Sequence, residues 1–304
     1  MNQNKELLSK LKDILKEENI QVNVPMKEHT TFRVGGPADI LVYPTTYEEV
    51  SKIIKLCNEY NENYFLLGNG SNILVKDGGI RGLVLKFSKL NNVTVEGKNV
   101  IAQSGALLCG VSRIAMEYGL TGLEFASGIP GSIGGATTMN AGAYDGEMSK
   151  VVEQVLVVDK EGNLKTLSKD ELEFSYRMSA VMKYEYIVLE TILALENEDK
   201  EVIKNKIQEL TKKRTEKQPL EYASAGSTFK RPEGYFAGKL IQDAELRGRN
   251  VGDAEVSQKH CGFIINKGNA TAKELLELIK IVQNTVKERF GVELHTEVKI
   301  IGED

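Results

Sequence analysis

Residues 127–147, SGIPGSIGGATTMNAGAYDGE, hold six glycines and a proline in twenty-one positions. Glycine loses more backbone freedom on folding than any other residue, so a passive connector has no use for such a density. Ile129, Ile133 and Met139 spread apolar anchors through the stretch, which suits an ordered loop. Bare main chain of this kind serves best where a flat or charged ligand must come close and a Cβ would collide. A second loop, LLGNGSNILV (66–75), sets Gly68, Asn69, Gly70, Ser71 and Asn72 between two apolar runs. Glycine and asparagine tolerate left-handed backbone, so successive N–H groups can converge on an anion such as phosphate. An ordinary hairpin turn accounts equally well for that segment taken alone.

The familiar nucleotide signatures are missing. A dinucleotide fingerprint runs from strand into helix, whereas an apolar strand follows here, and no loop ends in Gly-Lys-Ser/Thr. Around the two loops the periodicity changes repeatedly. Leu7, Leu8, Leu11, Ile14 and Leu15 line one face of a first helix; Val50, Ile53, Ile54 and Cys57 line a second. ADILVYP, NYFLLG, NILV and GLVLKF read as strands, and NVTVEGKNVIAQSG as a hairpin about Glu96-Gly97. LCGVSRIAMEYGL is helical, and strand character resumes in VVEQVLVVD and YIVLETILALE. From about residue 197 a charged helix turns Val202, Ile203, Ile207 and Leu210 inward. TAKE (271–274) is a capping box opening a helix with Leu275, Ile279, Val282 and Val286 on one face, stopped by Gly291. In the last strand Val292, Leu294, Val298 and Ile300 share one side, and Glu293, His295, Glu297 and Lys299 the other. No repeat or low-complexity segment interrupts this α+β mixture.

Charge and cysteine content narrow the function. A net charge of −4 gives no field that would recruit nucleic acid or an anionic membrane. Cys57, Cys109 and Cys261 form no CxxC pair, and His29, His260 and His295 are scattered, so neither a disulfide framework nor a metal site is expected. The N-terminal segment is an amphipathic helix without a signal-peptide core. No apolar run nears the roughly 18 residues of a membrane span. A cytoplasmic location is the expectation.

The segment SAGSTFKRP (224–232) puts Ser227 in a glycine turn two residues before Phe229. Local sequence leaves a turn former, a phosphate contact, a nucleophile and a proton donor all open. Order along the chain narrows the choice. HTTFRVGGPA (29–38), LGNGSN (67–72), GIPGSIGGA (128–136) and NAGAY (140–144) resemble, in sequence order, the vanillyl-alcohol-oxidase (PCMH) type of FAD-binding domain. Continued through SYR, GSTFK, AGKLIQ and EVKIIG, the chain resembles the UDP-N-acetylenolpyruvoylglucosamine reductase family from about His29 to Gly302. Its compact length resembles the shorter subtype, without an extra tyrosine-bearing loop.

The resemblance implies a two-part α+β FAD-binding domain over 29–196, an N-terminal helix (1–28) packed on it, and a smaller α+β substrate-binding domain over 197–304. It implies non-covalent FAD, reduced by NADPH, and an enolpyruvyl vinyl ether of UDP-N-acetylglucosamine reduced to a lactyl ether during peptidoglycan precursor synthesis. Hydride does not add readily to an electron-rich enol ether beside an ionised carboxylate. Such a site must neutralise that carboxylate, stabilise enolate-like charge and deliver a proton. By resemblance Ser227 matches the proton donor, Arg177 the arginine that grips the enolpyruvyl carboxylate, and Glu297 the assisting glutamate. The planar guanidinium fork fits a carboxylate in a way that lysine cannot. FAD contacts carry over to Gly68, Asn69, Gly70, Ser71 and Asn72 for the pyrophosphate. Ile129, Gly131, Ser132, Gly135 and Gly142 carry over for the remainder. Lys230, Gln242 and Asn266 fall in segments resembling the substrate domain, whereas Lys212-Lys213-Arg214 reads as a solvated helix face. Three positions depart from the family pattern: Arg231 stands where asparagine is common, and Glu245 and Asp253 where glycines are. A flavin oxidase of the same superfamily and a nucleotide-sugar binding module without redox activity are the competing readings.

Overall fold

The computed structural model describes residues 2–304, with side chains from Glu6 onward. Helix Asn2–Ile14 buries Leu7 and Leu11, and Leu15 just beyond it, while Leu8 and Ile14 are only partly covered. Helix Tyr47–Tyr60 starts at a capping box that sequence reading had left unmarked. Thr46 accepts the Glu49 N–H at 3.1 Å, and Glu49 accepts the Thr46 N–H at 3.2 Å, which satisfies two of the donors that open every helix. Val50, Ile53, Ile54 and Cys57 from this helix share one core with Leu7, Leu11 and Leu15. Burial, then the charge of Glu62, pushes the Cys57 thiol up to about 12, so it packs as an inert apolar group.

The chain separates into two units. The first comprises residues up to Val22, Ile40–Asn69 and Gly82–Lys213. Its five-stranded antiparallel sheet has the order Leu164–Ser168, Val152–Val158, Ile187–Ala194, Asn99–Gln103, Val93–Glu96. The last pair is the hairpin expected at Glu96-Gly97. A four-stranded sheet, most of whose residues also fall in this unit, has the order Ile20–Pro25, Pro37–Val42, Ile80–Lys86, Tyr64–Leu67. Inside the glycine-rich stretch the chain forms a helix, Ile133–Thr138, capped by Ser132, whose Oγ accepts the Gly135 N–H at 3.4 Å. Gly134 sits on the sheet: its N–H donates to the Ser104 carbonyl at 2.8 Å, and a Cβ there would overlap the Ser104 side chain. Part of the glycine content therefore serves helix-on-sheet packing and not ligand approach.

The second unit comprises Asn23–Asp39, Gly70–Arg81 and Arg214–Asp304. A three-stranded sheet (Asn250–Val251, Ala254–Val256, Ile264–Asn266) lies with helix Ala272–Phe290. Both capping-box bonds between Thr271 and Glu274 are present, and the Asp77 carboxylate adds acceptors for the Ala272 and Lys273 N–H groups at 2.9 Å each. Gly291 ends the helix in left-handed conformation at φ 69°. Leu275, Ile279, Val282 and Val286 are buried, as their spacing predicts. The expected strand over 292–301 is regular only at Lys299–Ile301, which runs parallel to Ile73–Val75. Leu294 and Val298 are buried, but Ile300 is exposed.

Two boundaries differ from expectation. The expected break at residue 197 falls inside the first unit, because Glu196–Asn197 pairs with Leu120–Thr121 and the Glu198 N–H donates to the Gly119 carbonyl at 2.9 Å. On the charged helix Lys200–Lys217, Ile203 and Leu210 are buried while Val202 is exposed. The expected boundary at residue 28 lies within the stretch Asn23–Asp39 of the second unit. There the Thr31 N–H donates to Gly70 (3.1 Å) and the Gly36 N–H to Lys76 (3.0 Å). Further main-chain bonds tie 76–79 to the C-terminal strand. The Lys76 N–H donates to Ile301 (2.9 Å), Gly78 to Glu303 (2.9 Å), and Glu303 to Gly79 (2.9 Å). Replacing fully packed Ile279 by alanine should cost about 2–5 kcal/mol, read as a fall in the urea midpoint. Replacing exposed Val202 by alanine should leave that midpoint within about 0.5 kcal/mol of the parent.

Candidate active site

In the first unit the two glycine loops meet. A Cβ on Gly68 would overlap the Ser132 hydroxyl, and the Asn69 side-chain amide donates to the Pro130 carbonyl at 2.6 Å. The Leu108 N–H donates to the Gly131 carbonyl at 2.9 Å, and the Ile133 N–H to Ala106 at 2.8 Å. These bonds shape a cavity of about 400 Å3, lined by Gly68, Asn69, Asn91, Leu107, Gly110 and Val111 among others. That volume lies within the roughly 300–1,000 Å3 usual for small-molecule sites. Asn91 and Gly110 were not singled out from sequence. Gly110 had a signal, for a glycine inside helix Leu108–Glu117 costs about 1 kcal/mol against alanine. Its missing side chain leaves the wall bare, with only Leu107 Cβ at 3.9 Å from where a Cβ would stand.

Arg177 occupies the tip of a tight turn in the same unit. Ser175 and Met178 exchange backbone hydrogen bonds of 3.0 and 3.2 Å, leaving Tyr176 and Arg177 between them. Arg177 is left-handed at φ 55°, a conformation costing a non-glycine residue roughly 1–2 kcal/mol. Buried Asn140 holds this turn: Nδ2 donates to the Ser175 carbonyl at 3.0 Å, and Oδ1 accepts the Ser149 N–H at 2.9 Å. Ser179 adds a bond to the Thr138 carbonyl at 2.7 Å. The Arg177 guanidinium reaches the Gly142 carbonyl at 3.4 Å and lies 5.3 Å from the Tyr176 ring centroid. The buried polar bonds hold the turn in this strained conformation.

In the second unit the main chain that follows Ser227 pairs with the segment carrying Glu297. The Glu297 N–H donates to the Thr228 carbonyl at 2.8 Å, Phe229 bridges Thr296, and the Lys230 N–H donates to His295 at 2.8 Å. Ser227 is therefore one residue from the residue paired with Glu297, and it is exposed. The Asn72 side chain donates to the Glu297 carbonyl at 3.2 Å, and the Asn72 carbonyl accepts the Lys299 N–H at 3.0 Å. Asn72, expected at a pyrophosphate, thus spends part of its side chain on the strand that carries Glu297. Gly70 lies under the chain of His29 and Thr31, whose N–H donates to the Gly70 carbonyl at 3.1 Å. Desolvation, and then the like charge of Lys230, holds the Lys299 ammonium below the usual lysine range.

Comparison with known proteins agrees with this geometry. The FAD binding domain family matches residues 38–168, and the C-terminal domain of UDP-N-acetylenolpyruvoylglucosamine reductase matches 218–301. UDP-N-acetylenolpyruvoylglucosamine reductase of Clostridium tetani is 61% identical over 304 residues, covering 100% of this chain and 99% of the relative. That of Clostridium perfringens (strain SM101) is 62% identical, covering 100% of both. The chain belongs to the UDP-N-acetylenolpyruvoylglucosamine reductase family. The crystal structure of the Thermus caldophilus family member superposes with a TM-score of 0.80 at 36% identity, over 92% of this chain and 97% of that one. p-Cresol methylhydroxylase superposes at TM-score 0.53 over 98% of this chain and 66% of that one; at 14% identity it shares the fold alone.

Against the family pattern, the remaining positions sort by their surroundings. Asn266 is buried, with Nδ2 donating to Phe32 (3.0 Å) and Oδ1 accepting the Gly268 and Ala270 N–H groups (2.8 and 3.0 Å). Its side chain braces a loop of the segment expected among substrate contacts. Gln242 is exposed and accepts from Arg247 at 2.6 Å, and Lys230 is exposed. Gly142 is crowded by Gly146 and Glu147 across a short hairpin, so its bare Cα is explained by packing. Glu245 keeps a left-handed backbone (φ 62°) where the family has glycine, Asp253 accepts the Asn269 N–H at 2.9 Å, and Arg231 lies 4.0 Å over the Phe236 ring. Lys213 pairs with Glu209, which keeps the basic run a solvated face. Among the described residues no group of His, Cys, Asp and Glu could hold a metal ion, and no helix is long and apolar enough to cross a membrane. Gly68→Ala should force the two loops apart and yield protein with well under half the flavin absorbance per chain after purification, while the far-ultraviolet circular dichroism stays unchanged.

Proposed function

We propose that this chain reduces UDP-N-acetylglucosamine enolpyruvate to UDP-N-acetylmuramate with NADPH and FAD, a step of peptidoglycan precursor synthesis. The observation that carries the reading is the 2.8 Å bond from the Glu297 N–H to the Thr228 carbonyl. It ties the main chain beside Ser227 to that of Glu297 in a chain whose family has this activity. The cavity beside Gly68 and Gly110 fits one half of a dinucleotide, with amide groups of Asn69 and Asn91 at its wall. FAD, when bound, supplies hydride drawn from NADPH.

The protein's own residues do the rest. Arg177 pairs with the substrate carboxylate and withdraws the charge that would repel hydride, a task its two-pronged donor geometry suits. Ser227 gives a proton to the carbon next to the one that receives hydride. A serine hydroxyl is a weak acid, so its developing alkoxide needs positive charge nearby; Lys230, three residues on, and Lys299 beside it are the available ammonium groups. Glu297 assists through its carboxyl group as charge develops. Lys230 and Gln242, both exposed, meet the substrate nucleotide in this reading. We place the enzyme in the cytoplasm, since its three cysteines are all unpaired thiols and Cys57 and Cys261 are buried.

Rapid-mixing absorbance separates the two halves of the cycle. Ser227→Ala should leave NADPH-driven flavin bleaching within about twofold of the parent and slow reoxidation by the enolpyruvyl nucleotide by roughly 10²-fold or more. Loss of bleaching with reoxidation spared would reverse the assignment. Arg177→Lys should raise KM for the enolpyruvyl nucleotide and lower kcat as well, because carboxylate pairing acts in both the ground and transition states.

A further inference from the structure

Thr228 is polar and 1% exposed, and every hydrogen-bonding group it presents has a partner. Its Oγ1 accepts the Ile264 N–H at 3.0 Å. Its own N–H donates to the Gly262 carbonyl at 2.9 Å, and its carbonyl accepts the Glu297 N–H at 2.8 Å. In a regular antiparallel ladder, the Thr228 N–H would go back to the Glu297 carbonyl. Here the exchange is broken on purpose-built terms: the N–H turns to Gly262, and the Glu297 carbonyl takes the Asn72 amide at 3.2 Å. Thr228 is thus the point where the segment leaves the C-terminal ladder and joins the loop that leads into strand Ile264–Asn266. Ser227 is the next residue out, and Gly226 before it is left-handed at φ 76° with open space around its Cα. Upstream, the chain is held again at Ala225, which is buried, and at Ser224, whose carbonyl accepts the Thr31 hydroxyl at 2.6 Å, so Gly226 and Ser227 lie between two anchors.

The geometry points to Thr228 as a positioning residue that sets the separation of the Ser227 hydroxyl and the Glu297 carboxyl group. This rests on the roles proposed for those two residues. The hydroxyl is the informative atom. Valine would fill the same space but offer no acceptor, leaving the Ile264 N–H buried and unpaired, a loss that a buried donor relieves by moving. Any relief shifts residue 228 away from Ile264 and carries Ser227 with it. Displacements below 1 Å are enough to slow a reaction that depends on aligned groups. The loop on the other side is stiff: Ser257 Oγ accepts the Lys259 and His260 N–H groups, and His260 Nδ1 accepts the Gly262 N–H at 3.0 Å. The slack therefore appears at Ser227.

Holoenzyme variants test this in the same two half-reactions. T228V should bleach with NADPH within about twofold of the parent but reoxidise about tenfold more slowly with the enolpyruvyl nucleotide, kcat falling while KM stays within about twofold. T228S, which keeps the acceptor and loses only a methyl group, should restore reoxidation to within about twofold of the parent. If T228V does not accumulate as folded holoenzyme, T228A is judged by the same criteria. Parent-like reoxidation in the variant lacking the hydroxyl overturns the inference, as does equal slowing of both half-reactions or failure of T228S to rescue. S227A in the same series keeps the two readings apart. Slow S227A with parent-like T228V removes Thr228 alone, whereas parent-like S227A removes the proton-donor assignment on which it stands.

Discussion

The parallel pairing of Lys299–Ile301 with Ile73–Val75 is the constraint on which the second unit depends. It joins residues separated by more than two hundred positions and extends through Lys76, Gly78 and Glu303 in an unbroken run of main-chain bonds. At one end of this pairing Asn72 leads into the first strand and Glu297-Val298 lead into the second. Asn72 sits at the junction, bonded to residues on both sides of Val298. Within the second unit, Asn72 and the segment that carries Glu297 are thereby held together. Closing so long a loop is entropically costly, but the cost grows only slowly with length, and the apolar core of Leu74, Val298, Ile279 and their neighbours offsets it.

Local chemistry was readable wherever a side chain acts on its own neighbourhood. Thr271 and Glu274 announced a helix start because a capping box is a four-residue event, and Gly291 announced its end because only a left-handed residue closes it that way. The buried faces of Tyr47–Tyr60 and Ala272–Phe290 followed from spacing alone. What escaped was decided at long range. The assignment of 23–39 and 70–81 to the second unit goes with long-range main-chain bonds and with the burial of Phe32, Val34 and Leu74 in its core. Those partners are too distant in sequence for periodicity to pair. The helix Ile133–Thr138 was hidden because Gly134 and Gly135 argue against helix until the Ser104 contact explains one of them.

The site divides in the same manner. Ser227, Arg177 and Glu297 came from the order of motifs along the chain, since an arginine or a serine in isolation reads as surface or turn. Their supports were invisible. Asn140 and Thr228 are small, buried and bonded to backbone, so nothing in their surroundings along the sequence separates them from turn formers. Asn266 shows the converse, for it lies in a motif-bearing segment yet braces the loop from within.

Arg177 waits with its guanidinium resting on the Gly142 carbonyl and its backbone already twisted into the left-handed well. The side chain is thus presented from the tip of the turn with no further rotation of the peptide to make. The cost of the left-handed backbone is met during folding, by the Asn140 and Ser179 bonds that close the turn around it.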